Sequence, residues 1–162
     1  MKVSDSGVPR QAYGEWGLRS ASLMEESAAL WTEATSLWGE AASNMDKLSK
    51  MAPMDRAAAF AVWQDAYRQA MQEMRIRADS ILGRWRALAT PQDPRVIEIS
   101  RMTESVLMEG VAAFQEAYAF SDDLDVEHMN KARGLINSAN EKLKEVTELS
   151  VRLVESLDQR GG

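Results

Sequence analysis

The sequence contains no cysteine and a single histidine, His128. Without cysteine there is no disulfide framework, no thiolate metal site and no cysteine nucleophile. One histidine also excludes the Glu-x-x-His pairs on two helices that hold a di-metal centre in a helical bundle. The sequence therefore predicts no catalytic residue, no metal site and no cofactor, and it indicates a protein that is not an enzyme.

The glycines do not form any phosphate-binding pattern. Neither Gly-x-x-x-x-Gly-Lys nor Gly-x-Gly-x-x-Gly occurs, and the Gly-x-Ser-x-Gly turn of a serine hydrolase is also missing. Asp123, Asp125 and Glu127 alternate as calcium ligands do, but His128 stands where a calcium loop that starts at Asp123 needs glycine. This acidic cluster is therefore interpreted as the cap of the following helix.

Long apolar runs are missing too. No segment approaches the roughly 18 uninterrupted apolar residues of a membrane-spanning helix, and the first ten residues have no apolar stretch typical of a secretory signal. We expect no transmembrane segment and a cytoplasmic location. Peripheral binding to a surface remains open.

Acidic residues outnumber basic ones, 25 to 19, and the net charge is −6. An acidic chain argues against nucleic acid as the main partner, because phosphate binding needs a basic surface. The second predicted helix is the only basic one. Its arginines form either a patch for an acidic partner or ion pairs with the acidic third and fourth helices. They are Arg68, Arg75, Arg77, Arg84 and Arg86.

Most of the chain carries apolar residues at helical spacing. The strictest pattern belongs to the last helix, where steps of three and four connect Ile136, Ala139, Leu143, Val146, Ser150, Leu153 and Leu157. The patterns predict helices at about residues 20–51, 54–89, 94–120 and 124–158, within one domain that covers residues 20–160. The predicted fold class is all-α, an elongated up-down-up-down four-helix bundle with short loops, whose core dimerisation could complete.

Helix boundaries have their own signals. Ser22 and Glu25 have the spacing of a capping box, which places the start of the first helix near residue 20. Pro53 and Pro94 suit the first turn of a helix, and Asp93 is a capable N-cap. Residues 1–19 contain three glycines and a proline, and we expect a flexible N-terminal arm there.

Two features favour contact with another protein. The arm carries Tyr13 and Trp16, residue types that often anchor interfaces, so it either folds back with Trp16 and Leu18 over the end of the bundle core or docks on another subunit or partner. The first helix carries two apolar stripes side by side, and one bundle interior is not expected to cover both. One stripe contains Met24, Trp31, Trp38 and Met45, and the other contains Leu23, Leu30 and Leu37. The candidate interface residues are Tyr13, Trp16, Leu23, Leu30 and Leu37.

These patterns predict a non-enzymatic function. The first hypothesis is a structural or adaptor subunit of a larger assembly, whose partner is another protein or a second copy of the chain, with a homo-oligomer expected. Two alternatives stay open. One is an amphipathic coat protein of a lipid or polymer granule. The other is a helical bundle that senses a small molecule between its helices, where Gly83 and Gly110 would leave room.

Overall fold

A computed structural model describes residues 7–161, excluding the side chains of residues 160 and 161. The chain folds into four α-helices, and residues 7–161 contain no β-strand. The helices are α1 (Arg10–Ser49), α2 (Pro53–Arg86), α3 (Pro94–Asp123) and α4 (Val126–Gly161). The all-α class and the number of helices are therefore confirmed. No helix in this part of the chain has both the length and the apolar character needed to cross a membrane.

Helix α1 begins at Arg10, ten residues before the predicted start. The prediction of a flexible arm is therefore wrong for residues 10–19, while residues 1–6 lie outside the described residues. Gly14 and Gly17 sit inside the helix and cost roughly 1 kcal/mol each relative to alanine. Burial of Tyr13 and Trp16 in the core offsets that cost, and the predicted capping box at Ser22 lies in mid-helix.

The other boundaries follow the sequence signals closely. Pro53 and Pro94 occupy the first positions of α2 and α3. The carboxylate of Asp93 accepts a hydrogen bond from the backbone N–H of Arg95, which confirms Asp93 as the N-cap of α3. Helix α3 continues to Asp123 and ends at Leu124, which adopts a left-handed conformation with φ of 58°.

Consecutive helices run antiparallel, as the order of their side-chain contacts shows. Contacts between α1 and α2 join Glu26 to Arg84, Glu33 to Arg77 and Trp38 to Met71. Contacts between α2 and α3 join Gln64 to Ser121, Tyr67 to Ala117 and Arg86 to Glu104. Contacts between α3 and α4 join Arg95 to Ser156, Glu109 to Ser138 and Glu116 to His128. Each later residue of one helix meets an earlier residue of the next.

The core is packed around tryptophan and alanine. Trp38 is 1% exposed and lies against Phe114, with ring centroids 6.3 Å apart. A Cβ added at Gly110 would lie 2.8 Å from Nε1 of Trp31, so the absence of a side chain lets this ring approach α3. Helices α3 and α4 pack most extensively, with buried alanines on both sides. These small residues allow close helix contact.

Helix α1 is held mainly by α2. It approaches α3 and α4 at few positions, so the side of the molecule between α1 and α4 is partly open. Near the end of α4, the Arg10 guanidinium donates to the backbone oxygen of Leu157. Over most of their length α1 and α4 stay apart, and a groove lies between them.

Candidate functional site

The candidate interface residues of the sequence analysis lie in the interior. Tyr13, Trp16, Leu23 and Leu30 are buried, and Leu37 is half-buried against the core. The expectation that one interior does not cover both stripes of α1 is wrong, because every residue of the two stripes is buried or half-buried in this single bundle. Direct contact of the four buried side chains with a partner would require the bundle to open.

The five arginines of the predicted acidic-partner patch have partners within the chain. Two of them reach α1, two reach α3 and one pairs along α2 itself. The pairs are Arg77 with Glu33, Arg84 with Glu26, Arg86 with Glu104, Arg68 with Asp122 and Arg75 with Asp79. The distances for Arg77, Arg84 and Arg86 are 3.0, 2.9 and 2.7 Å. Four of these arginines join α2 to α1 or α3, and none of the five ion pairs involves α4.

The acidic cluster at the α3–α4 turn caps backbone groups. Asp123 accepts from the N–H of Asp125 at 2.9 Å, and Asp125 accepts from the N–H of Glu127 at 3.0 Å. His128 connects the two helices, with Nδ1 2.8 Å from Glu116 and Nε2 3.0 Å from Asp123. Glu116 and then Asp123 raise the pKa of His128 above its usual value. Among residues 7–161, no cluster of three acidic or histidine side chains has the geometry to hold a metal ion.

At the other end of the bundle, a buried carboxylate joins three helices. Asp93 is 2% exposed and accepts a 2.6 Å hydrogen bond from the hydroxyl of Tyr13 in α1. Arg95 donates to the same carboxylate at 2.7 Å and also to Ser156 of α4 at 2.8 Å. The Arg95 guanidinium, aided by Tyr13, holds the pKa of Asp93 well below its usual range. These contacts fasten the ends of the helices and do not form an accessible site.

The first exposed feature of note is the hairpin formed by the end of α1 and the start of α2. Gln64 lies opposite Ser121, close to the end of α3, so the first eleven residues of α2, 53–63, extend past the α3–α4 turn. At 1.5 Å per residue the extension is about 16 Å. We call residues 46–63 the hairpin tip.

One stretch of the hairpin tip is unusually apolar for an exposed helix. From Ala57 to Trp63 the sequence has no charged or polar side chain. Met54 is 88% exposed and Val62 is 72% exposed, while Phe60 and Trp63 are half-exposed. A helix that is apolar on every side is normally buried, so this surface favours contact with a partner.

The second exposed feature is the groove between α1 and α4. Its volume is about 600 Å³, and it lies beside the Tyr13–Asp93 contact, at the opposite end of the molecule from the hairpin tip. Its lining is mostly apolar, and α3 supplies Ile99 and Thr103. The indole Nε1 of Trp16, which lines the groove, is buried and has no hydrogen-bond acceptor among the described residues.

Sequence reasoning missed both features. Phe60 and Trp63 belong to the apolar series of α2, but full burial along that series begins only at Tyr67. The uncharged run from Ala57 to Trp63 is the signal that could have revealed the tip. The groove departs from the sequence expectation as well, because neither Gly83 nor Gly110 lines it. Gly110 accommodates Trp31, and no described atom lies within 4 Å of a Cβ added at Gly83.

Comparison with known proteins gives no relative: no family model, no curated protein and no solved structure matches this chain.

Proposed function

We propose that this chain is a non-enzymatic structural or adaptor subunit that binds helical protein surfaces through its hairpin tip, with a second copy of the chain as the first partner. The observation that carries the proposal is the uncharged helix from Ala57 to Trp63, in which four of the seven residues are exposed and three are half-exposed. Two turns of apolar helix gain free energy when a partner removes them from water, at about 25 cal/mol per Å² of apolar surface.

If the partner is a second copy, the charge distribution favours contact through the tips. The hairpin tip contains three basic residues, Lys47, Lys50 and Arg56, and two acidic residues, Asp46 and Asp55, for a net charge of +1. The whole chain carries −6, so the rest of it carries −7. Contact between two tips avoids the repulsion that contact between two bodies would meet.

The side chains of the tip also suit a helical partner. Ala57, Ala58 and Ala61 are exposed and small, which lets a second helix approach closely. Met54 adapts its shape to an irregular partner surface. The half-exposed Trp63, held by ring contacts with Tyr67 and Phe120, supplies a large and rigid anchor. Two tips related by a twofold axis would form a short four-helix bundle, in which each apolar helix covers the other.

Light scattering on a sizing column over a concentration series tests the proposal. We expect the unmodified chain to have the mass of a dimer and Val62→Glu to have the mass of a monomer, because an isolated glutamate would be buried in the contact. Met108→Glu is the matched control, because Met108 is 51% exposed and lies on α3. It should remain a dimer.

Two results would overturn self-association through the tip. One is a monomer mass for the unmodified chain at every concentration, and the other is a dimer that Val62→Glu leaves intact. The same variants separate the coat-protein alternative, because flotation of the unmodified chain with vesicles, lost in Val62→Glu, would assign the tip to a lipid surface instead.

A further inference from the structure

The groove between α1 and α4 has the dimensions of a small-molecule site. Its volume of about 600 Å³ falls within the range of roughly 300 to 1,000 Å³ that ligand pockets occupy. Trp16 and Met24 line the α1 wall, Ile99 forms part of the floor, and Val151 and Val154 line the α4 wall. The two valines are 51% and 55% exposed, so apolar surface faces water along the groove.

One hydrogen-bond donor of the groove has no acceptor among the described residues. The hydroxyls of Ser20, Thr103, Thr147 and Ser150 donate to backbone oxygens of their own helices, so their donors are used. The indole N–H of Trp16 is buried and has no acceptor among residues 7–161. A buried donor without a partner is costly, and a ligand oxygen that reached it would remove that cost.

The charged side chains of the groove disfavour an anionic ligand. Glu25 on α1 and Glu155 on α4 are its only charged lining residues in the described chain, and both are exposed at its rim. A carboxylate or phosphate ligand would meet two like charges on a protein that is acidic overall. An uncharged ligand avoids this repulsion.

From these observations we infer that the groove binds an elongated, uncharged apolar molecule whose polar group is a carbonyl oxygen, in the chemical class of fatty acyl esters and long-chain ketones. The alkyl chain lies along Met24, Val151 and Val154, and the carbonyl oxygen accepts the hydrogen bond of Trp16 once the indole ring turns its buried N–H toward the groove. This binding is independent of the hairpin tip, which lies at the other end of the molecule.

The test is displacement of a neutral solvatochromic dye, followed by its fluorescence, with methyl laurate and laurate as matched competitors. We expect methyl laurate to displace the dye and laurate to bind at least about tenfold more weakly, because only laurate carries a charge. Trp16→Phe keeps the apolar ring and removes the N–H, and should weaken methyl laurate about fivefold, the loss of one hydrogen bond.

Two further variants locate the binding. Ser150→Trp fills the groove from a half-buried position and should abolish displaceable dye binding, whereas Glu148→Trp, on the exposed side of the same helix, should retain it. Val62→Glu should also retain it, which separates this site from the hairpin tip. Circular dichroism establishes that each variant is folded.

Three results would overturn the inference. They are methyl laurate binding that survives Ser150→Trp, laurate binding as tightly as the ester, and no displacement by methyl laurate at all. If Trp16→Phe fails to fold, the comparison of Ser150→Trp with Glu148→Trp still decides whether the groove is the site.

Discussion

The hydroxyl of Tyr13 donates a 2.6 Å hydrogen bond to the carboxylate of Asp93, and both side chains are buried. The two residues are 80 positions apart in the chain, so the contact fastens the start of α1 to the turn before α3. Arg95 donates one hydrogen bond to Asp93 and another to Ser156, and so connects α4 to the same contact. The first turns of α1 therefore depend on a polar contact as well as on the burial of Trp16.

Tyr13→Phe removes this hydrogen bond and keeps the ring. We expect the free energy of unfolding to fall by about 1–2 kcal/mol, because the acceptor is charged and buried. Urea denaturation followed by circular dichroism measures the change. Tyr118→Phe is the control, since the hydroxyl of the half-buried Tyr118 makes no hydrogen bond within residues 7–161. An equal loss in both variants would contradict a specific role for the Tyr13–Asp93 contact.

The lowered pKa of Asp93 predicts a loss of stability in acid. A carboxyl group whose pKa is lower in the folded state than in the unfolded state stabilises the fold above its unfolded pKa, about 3.9. That contribution is lost as the pH falls below about 4 toward the folded pKa. We expect the free energy of unfolding to drop more steeply between pH 4 and pH 2 for the unmodified chain than for Asp93→Asn. Parallel slopes for the two proteins would contradict this assignment.

The raised pKa of His128 predicts that stability depends on pH with the opposite sign. Glu116 and Asp123 raise its pKa, so its pairing stabilises the fold fully below the unfolded pKa of about 6.5 and is lost as the pH rises through the higher folded value. Nuclear magnetic resonance titration of the imidazole should give a pKa above 6.5. Glu116→Gln should bring that pKa down, because it removes the largest cause of the shift. A pKa unchanged by this substitution would show that Glu116 does not control it.

Two glycines in long helices should respond to alanine in opposite directions. In Gly110→Ala the new Cβ would lie 2.8 Å from Trp31, a buried ring with little room to move, so we expect a loss of about 1–3 kcal/mol. In Gly83→Ala no described atom lies within 4 Å of the new Cβ, and helix propensity alone should add about 0.5–1 kcal/mol. Thermal unfolding of both variants checks the pair. Similar midpoints for the two would argue against close packing at Gly110.

Sequence periodicity predicted the last helix well. Each of the seven positions from Ile136 to Leu157 is buried or half-buried, because a steady alternation of three and four residues keeps one face toward the neighbouring helices. The sequence also located the turn between α2 and α3, where Asp93 and Pro94 act through local geometry. Such signals depend on a few neighbouring residues and can be read without knowing the fold.

The start of α1 could not be predicted in the same way. Gly14 and Gly17 favour an interrupted helix when only local preference is considered. The helix forms because Tyr13 and Trp16 find the core and Asp93, which lies 80 residues from Tyr13 in the chain. Ring packing between Trp16 and Trp85, with centroids 6.1 Å apart, adds to this stabilisation. Tertiary contact outweighed local preference over these ten residues.

The sequence by itself determined the all-α class, the four helices and most of their buried faces, since periodicity and caps are local properties of the chain. Only the tertiary structure decided which apolar surface stays exposed. That outcome depends on where neighbouring helices end and how far they diverge. Helix α3 ends near Gln64, which leaves the hairpin tip uncovered, and α1 diverges from α4, which opens the groove beside Trp16. Neither the uncovered tip nor the groove can be predicted from the residue pattern of a single helix.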